Sequence, residues 1–83
     1  MTRFMDVHHG AKGITAEQLR QGHQAALAIE KEEGVHFERA WADPEAGIVY
    51  CLTEAPSADA VQRAHEHAGS QKPDEIHPVP LTT

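Results

Sequence analysis

The fold of this chain is decided by residues 3–9, which read RFMDVHH. A β-strand sends successive side chains to opposite faces of its sheet, so a strand here places Phe4, Asp6 and His8 together on one face. Apolar residues occur on both faces, which is typical of a strand covered on two sides. The segment ends in two histidines before Gly10. We therefore predict a central strand whose end carries two imidazoles near a carboxylate.

The segment that follows is predicted to form a long helix. Thr15 and Gln18 have the spacing of a capping box, in which each side chain bonds the backbone N–H of the other residue. An apolar stripe at spacings of three and four continues from there and includes His23. Gly34 is expected to end the helix, because glycine readily adopts the left-handed conformation of a helix C-terminus.

Turn residues and β-formers divide the rest of the chain. Alternation in the second strand would place Phe37, Arg39 and Trp41 on one face. The second and third strands are separated only by a Pro- and Gly-containing turn, so they form a hairpin. Ser57 is the expected N-cap of the second helix. The second strand is predicted at residues 35–42, the turn at 43–47 and the third strand at 48–54. The second helix is predicted at 57–69, a loop at 70–73 and the fourth strand at 74–79.

This order is βαββαβ, the ferredoxin-like pattern of the α+β class. Right-handed crossovers place strand one between strands three and four of an antiparallel sheet, with both helices on one face. We expect residues 1–83 to form one such domain. A core of this size leaves little stability to spare, so we also expect the second face to be buried in a homodimer.

Composition limits the classes of partner. The net charge is −6 with histidine neutral, and aromatic residues are few, which excludes a typical nucleic-acid binder and suits metal cations. Cys51 is the only cysteine, so the chain has no internal disulfide and no thiolate zinc cluster. No apolar run approaches membrane-spanning length, and the first residues lack a signal-peptide core. We expect a cytoplasmic protein that binds no membrane.

The seven histidines point to a metal, because imidazole suits nickel, copper and zinc. No pair has a recognised chelating spacing: His8 and His9 point to opposite faces of a strand, and residues 65 and 67 diverge on a helix. A site must therefore be assembled from several elements. The topology is expected to bring six candidate ligands to one rim of the sheet: Asp6, His8, His9, His67, Glu75 and His77.

Each candidate also has a simpler interpretation. Asp6 and His8 could form a structural carboxylate–imidazole pair, and the remaining candidates could be solvated surface groups. His23 and His65 lie on the apolar stripes of the helices, where a hydrogen-bonded core histidine is favoured over a polar pocket. Cys51 is expected to be a small buried apolar residue. Trp41 is expected in the core or at a dimer interface.

Four segments carry a resemblance to a known family. They are MDVH at 5–8, WAD at 41–43, CLTEAP at 51–56 and DEI at 74–76. In this order and spacing the chain resembles the small bacterial nickel-binding proteins of ferredoxin-like fold, a family described as a domain of unknown function. The resemblance covers nearly the whole chain. It implies a homodimer that binds nickel and sequesters or buffers it.

Two functions therefore remain open. The first is non-catalytic nickel binding through surface histidines and carboxylates, to which copper or zinc would also bind in vitro. The second is a small dimeric ferredoxin-like enzyme of the cofactor-free monooxygenase or isomerase kind, with His8, His23 or His65 as acid–base groups. A buffer should carry its sites at the surface without an enclosed pocket, whereas an enzyme should have a histidine-lined cavity. A purely structural dimer would not explain the histidines.

Overall fold

The computed structural model describes residues 1–70 and 72–83. The elements are β1 (Thr2–His8), α1 (Ala16–Glu33), β2 (His36–Asp43), β3 (Ile48–Ala55), α2 (Ala58–His67) and β4 (Glu75–Pro78). The expected ferredoxin-like βαββαβ order is therefore confirmed. Gln71, which falls in the predicted loop 70–73, lies outside the described residues.

The four strands form one antiparallel sheet in the order β2-β3-β1-β4, with β1 in the centre as its two-sided apolar pattern predicts. Both helices pack on the same face. The core between them and the sheet contains Phe4, Phe37, Val61 and Ala64. The buried residues of this core are two phenylalanines on the strands together with alanines and valines, most of them on the helices.

The ends of α1 follow the sequence signals. The hydroxyl of Thr15 accepts a hydrogen bond from the N–H of Gln18 at 3.1 Å, and the Gln18 side-chain carbonyl accepts one from the N–H of Thr15 at 3.0 Å. Gly34 ends the helix with a φ of 67°. Within the described part of the chain, no helix is long and apolar enough to cross a membrane.

A β-bulge in β2 corrects the predicted faces of that strand. Phe37 pairs with Thr53, but the next paired residue is Arg39, so Glu38 is an extra residue in the ladder. An extra residue shifts the alternation by one position. Phe37 therefore faces the helices, whereas Arg39 and Trp41 face the opposite side, and the prediction that all three share a face is wrong.

The face of the sheet away from the helices, here called the open face, carries large apolar side chains. Met5 and Leu52 are paired across β1 and β3 on this face, and Tyr50 pairs with Trp41 across β3 and β2. Trp41 is 42% exposed and Tyr50 is 36% exposed. Trp41 is thus on the surface of the monomer, outside its core.

Two loops at one end of the sheet are hydrogen-bonded to each other. The N–H of Ala11, after β1, donates to the carbonyl of Gly47 in the β2–β3 turn at 3.0 Å, and the N–H of Gly13 donates to the carbonyl of Pro44 at 2.9 Å. Gly47 has a φ of 75°, and a Cβ at this position would lie 3.0 Å from the backbone nitrogen of Lys12. Both the conformation and the close approach therefore require glycine.

Candidate metal centre

Asp6 is a fully buried carboxylate on the helix-covered face of β1. Its Oδ1 accepts a hydrogen bond from the Thr53 hydroxyl at 3.1 Å. Its Oδ2 lies 3.1 Å from Nε2 of His8 and 2.6 Å from Nε2 of His65. Thr53 therefore orients the carboxylate so that one oxygen faces two imidazoles.

Two opposing effects act on the pKa of Asp6. Burial raises it, because the charged form loses its hydration. The neighbouring imidazoles of His65 and His8 lower it, and their effect is the greater, so the pKa of Asp6 lies below its usual value. The carboxylate is ionised at neutral pH and is available as a metal ligand.

His65 belongs to the buried stripe of α2, and the residue is 4% exposed. Its Nε2 is close to Oδ2 of Asp6, but that oxygen lies off the direction of the ring N–H. As a result Nε2 makes no hydrogen bond with any residue in the ranges 1–70 and 72–83. The ring packs edge-on against His8, with centroids 4.7 Å apart, and against Phe37 at 5.3 Å. A buried nitrogen without a partner is rare in folded proteins.

Cys51 completes this group from the neighbouring strand. It is the direct partner of Asp6 in the β1–β3 register, so both side chains lie on the same face of the sheet. Burial, followed by the charge of Asp6, raises the pKa of its thiol to about 12. One potential ligand atom from each of four side chains lies within 4.8 Å of the other three. We call these residues the interior cluster: Asp6, His8, Cys51 and His65.

A cavity of about 360 Å³ lies between α1 and the sheet, beside the interior cluster. His8, Cys51 and His65 line it, as does His23 on α1. Asp6 is not among the lining residues and is fully buried. The cavity therefore gives access to the interior cluster at His8, Cys51 and His65, whereas the Asp6 carboxylate lies behind these side chains.

A second group of polar side chains lies at the surface. Nε2 of His77 is 3.0 Å from Oε1 of Glu75, and Nε2 of His9 is 3.3 Å from Oε2 of the same carboxylate. All three side chains are about half exposed. The imidazoles of His77 and then His9 lower the pKa of Glu75. These three residues, His9, Glu75 and His77, form the surface cluster.

The six predicted ligands thus lie in three different parts of the structure. Asp6 and His8 belong to the interior cluster, because they point toward the helices. Glu75 and His77 pair with Val7 and Met5, whose side chains lie on the open face, so the surface cluster is on the other side of the sheet. His67 instead contacts Glu32 and Glu33 in the last turn of α1, each at 3.4 Å.

Two members of the interior cluster were not among the predicted ligands. His65 was expected to be a hydrogen-bonded core residue, but its Nε2 is unpaired among the described residues. Cys51 was expected to be a buried apolar residue, yet it is only partly buried and lines the cavity. The pairing of β1 with β3 places Cys51 directly opposite Asp6, on the same face of the sheet. Alternation alone allows Cys51 to lie on this face or on the opposite one, so only the strand register could have indicated it.

Comparison with known proteins identifies the family. A family model described as "Nickel responsive protein SCO4226-like" matches residues 4–79. The chain belongs to the SCO4226-like family. The crystal structure of SCO4226 from Streptomyces coelicolor A3(2) is similar to this SCO4226-like chain, with 65% identity and a TM-score of 0.92 over 98% of this chain and 99% of that chain. None of the curated proteins compared with it matches.

Proposed function

We propose that this SCO4226-like protein binds Ni²⁺ at the surface cluster and sequesters it without catalysing a reaction. The observation that supports this proposal is the placement of two imidazole nitrogens against the two oxygens of one exposed carboxylate. His9 and His77 approach Glu75 from either side, at 3.3 and 3.0 Å. The three groups come from the end of β1 and from β4, so the pairing of two strands holds them together.

The chemistry of the surface cluster suits this ion. Nickel accepts imidazole and carboxylate ligands, and water can fill the remaining positions at an exposed site. Glu75 is available in its ionised form because its pKa is lowered. An exposed site also exchanges its ion readily, as a buffer requires. The description of the family as nickel-responsive favours nickel over the other ions that such ligands accept.

We propose that the protein acts as a homodimer formed through the β2–β3 side of the open face, which leaves the surface cluster, at the end of β1 and on β4, exposed. The exposed Trp41 and Tyr50 lie beside the apolar Met5 and Leu52, on the face that no helix covers. Large aromatic residues are enriched in the centre of protein interfaces. Burial of this face against its own copy would add apolar contact that the small monomer core does not supply.

Calorimetric titration of untagged, chelator-stripped protein with nickel, copper, zinc and calcium tests the function. At about pH 7.5 we expect saturable nickel binding, and at about pH 5.5 we expect its loss, because protonated imidazole cannot bind a metal. The double variant His9→Gln, His77→Gln should lose one equivalent of nickel per chain. His36→Gln is the matched control, since His36 is equally exposed and lies beside Glu30. Nickel binding by the double variant equal to that of wild type would contradict the proposal.

The cavity supports a second candidate function, that of a small cofactor-free enzyme. His8, His23 and His65 line it, and imidazole is the commonest acid–base group in catalysis. A screen of small organic molecules by NMR tests this candidate. Shift changes confined to cavity residues, abolished by His23→Phe, would support it, whereas a screen without such a ligand would leave nickel binding as the function.

A further inference from the structure

We propose that the interior cluster is a second metal site, separate from the surface cluster, that binds a divalent late first-row transition metal ion. Its ligands are Asp6, His8, Cys51 and His65. The two clusters lie on opposite faces of the sheet and share no residue. This inference therefore does not depend on the proposed function at the surface cluster.

The spacing of the four donors is close to that of a bound ion. Metal–nitrogen and metal–sulfur bonds of about 2.0–2.3 Å place the ligands of a tetrahedral ion roughly 3.3–3.8 Å apart. In the interior cluster the separations run from 2.6 Å, between His65 and Asp6, to at most 4.8 Å. Shifts of about 1 Å or less in the side chains would therefore bring the four donors to a common ion.

The unpaired nitrogen of His65 is an independent observation that points to a ligand. A structural carboxylate–histidine network satisfies the nitrogens it buries, because an unmade hydrogen bond in the interior destabilises the fold. Here Nε2 of His65 is buried beside Asp6 and forms no hydrogen bond with any described residue. A metal ion in the cluster would take up its lone pair. If this nitrogen carries a proton instead, no acceptor among the described residues lies in the direction of its N–H bond.

The surroundings hold the ligands in place before an ion arrives. The hydroxyl of Thr53 fixes the Asp6 carboxylate, as outer hydrogen bonds commonly do for metal-ligating carboxylates. Asp6 and His8 are two residues apart on β1, and Cys51 is fixed opposite Asp6 by the strand register. The α2 backbone supplies His65 from above the sheet. Four ligands thus come from three elements that are packed together by the core.

The kind of ligand selects the kind of ion. Two imidazoles, one carboxylate and one thiolate favour zinc, cobalt and nickel, whereas magnesium and calcium require oxygen ligands. His8 and Cys51 line the cavity, so an ion can reach the cluster without unfolding of the chain.

Absorption spectroscopy distinguishes the interior cluster from the surface cluster, because only the interior one contains sulfur. A thiol assay first confirms one free thiol per chain. The full chain is then titrated with Ni²⁺ and, in a separate experiment, with Co²⁺, in a buffer that contains a non-chelating phosphine reductant. We expect a near-ultraviolet sulfur-to-metal charge-transfer band whose full intensity corresponds to one sulfur-bound ion per chain. The band should remain in the His9→Gln, His77→Gln variant. It should be lost in Cys51→Ser, and His65→Gln should weaken binding at least about tenfold.

Alkylation provides a readout that needs no variant. Bound Co²⁺ or Ni²⁺ should slow the reaction of Cys51 with iodoacetamide in wild-type protein, and calcium should not. Absence of a sulfur band from reduced protein saturated with either ion would overturn the inference, as would an unchanged band in folded Cys51→Ser. Failure of the proposed surface function has a different signature: the double histidine variant would keep its full nickel stoichiometry.

Discussion

Asp6 and Cys51 are direct partners across β1 and β3, and both side chains leave the sheet on the face that the helices cover. This pairing places an ionised carboxylate next to a thiol and beneath the ring of His65. Asp6 contacts three polar residues while having no exposure to solvent. The carboxylate is therefore the group on which the arrangement of the interior depends.

We expect Asp6→Asn to lower the free energy of unfolding of the metal-free protein by about 1–3 kcal/mol, because a neutral amide replaces the charge that faces the two imidazoles, and its N–H₂ group cannot accept a hydrogen bond. Urea denaturation in the presence of a chelator measures this change. Glu45→Gln, in the exposed β2–β3 turn, is the control and should alter stability by less than about 0.5 kcal/mol. Equal stability of the two variants would show that Asp6 does not organise the interior.

The lowered pKa of Asp6 predicts a particular loss of stability in acid. A carboxyl group whose pKa is depressed by folding stabilises the native state above its unfolded pKa, and this contribution disappears as the pH falls through the folded pKa. Unfolding free energies should therefore fall more steeply for wild type than for Asp6→Asn below about pH 4, near the ordinary pKa of aspartate. Parallel curves for the two proteins would contradict the assigned shift.

The capping box of α1 predicts a local effect on stability. Thr15→Ala removes the hydroxyl that accepts from the N–H of Gln18 and should lower the free energy of unfolding by about 0.5–2 kcal/mol. Thermal unfolding followed by circular dichroism measures the change. Thr82→Ala, near the exposed end of the chain, should leave the melting temperature almost unaltered. A melting temperature for Thr15→Ala equal to that control would mean that the cap does not stabilise α1.

The proposed dimer predicts a change in assembly when a charge is placed on the open face. Trp41→Glu should convert a wild-type dimer into a monomer in sedimentation velocity, since burial of an unpaired carboxylate opposes association. Leu27→Glu is the matched control, because Leu27 is 38% exposed on α1 and Trp41 is 42% exposed on the sheet. A monomeric wild-type protein, or a dimeric Trp41→Glu protein, would exclude an interface through this face.

Much of the fold could be predicted from local patterns. Alternation in residues 3–9 identified the central strand, and the Thr15–Gln18 spacing located the start of α1. The bulge at Glu38 could not be predicted, because the residues on either side keep an unbroken alternation of β-compatible types. Only pairing with β3 reveals that one residue is extra. The faces assigned beyond Phe37 were therefore reversed.

The site was less predictable than the fold. Asp6 and His8 could be recognised as a pair because they are two residues apart on one strand. The approach of His65 depends on how α2 packs against the sheet, which no spacing in the sequence records. The predicted rim also combined residues whose side chains alternate between faces, so His8 and His9 belong to different clusters. Whether any of the six candidates ligates a metal stays a prediction.

The hydrogen bonds between the loop after β1 and the β2–β3 turn link the lengths of two segments that are more than thirty positions apart in the chain. A residue inserted into either loop would break the match between Ala11 and Gly47 unless the other loop changed as well. Natural variants of this protein should therefore gain or lose residues in both loops together. Grafting of a new sequence for protein engineering should treat the two loops as a single unit of exchange.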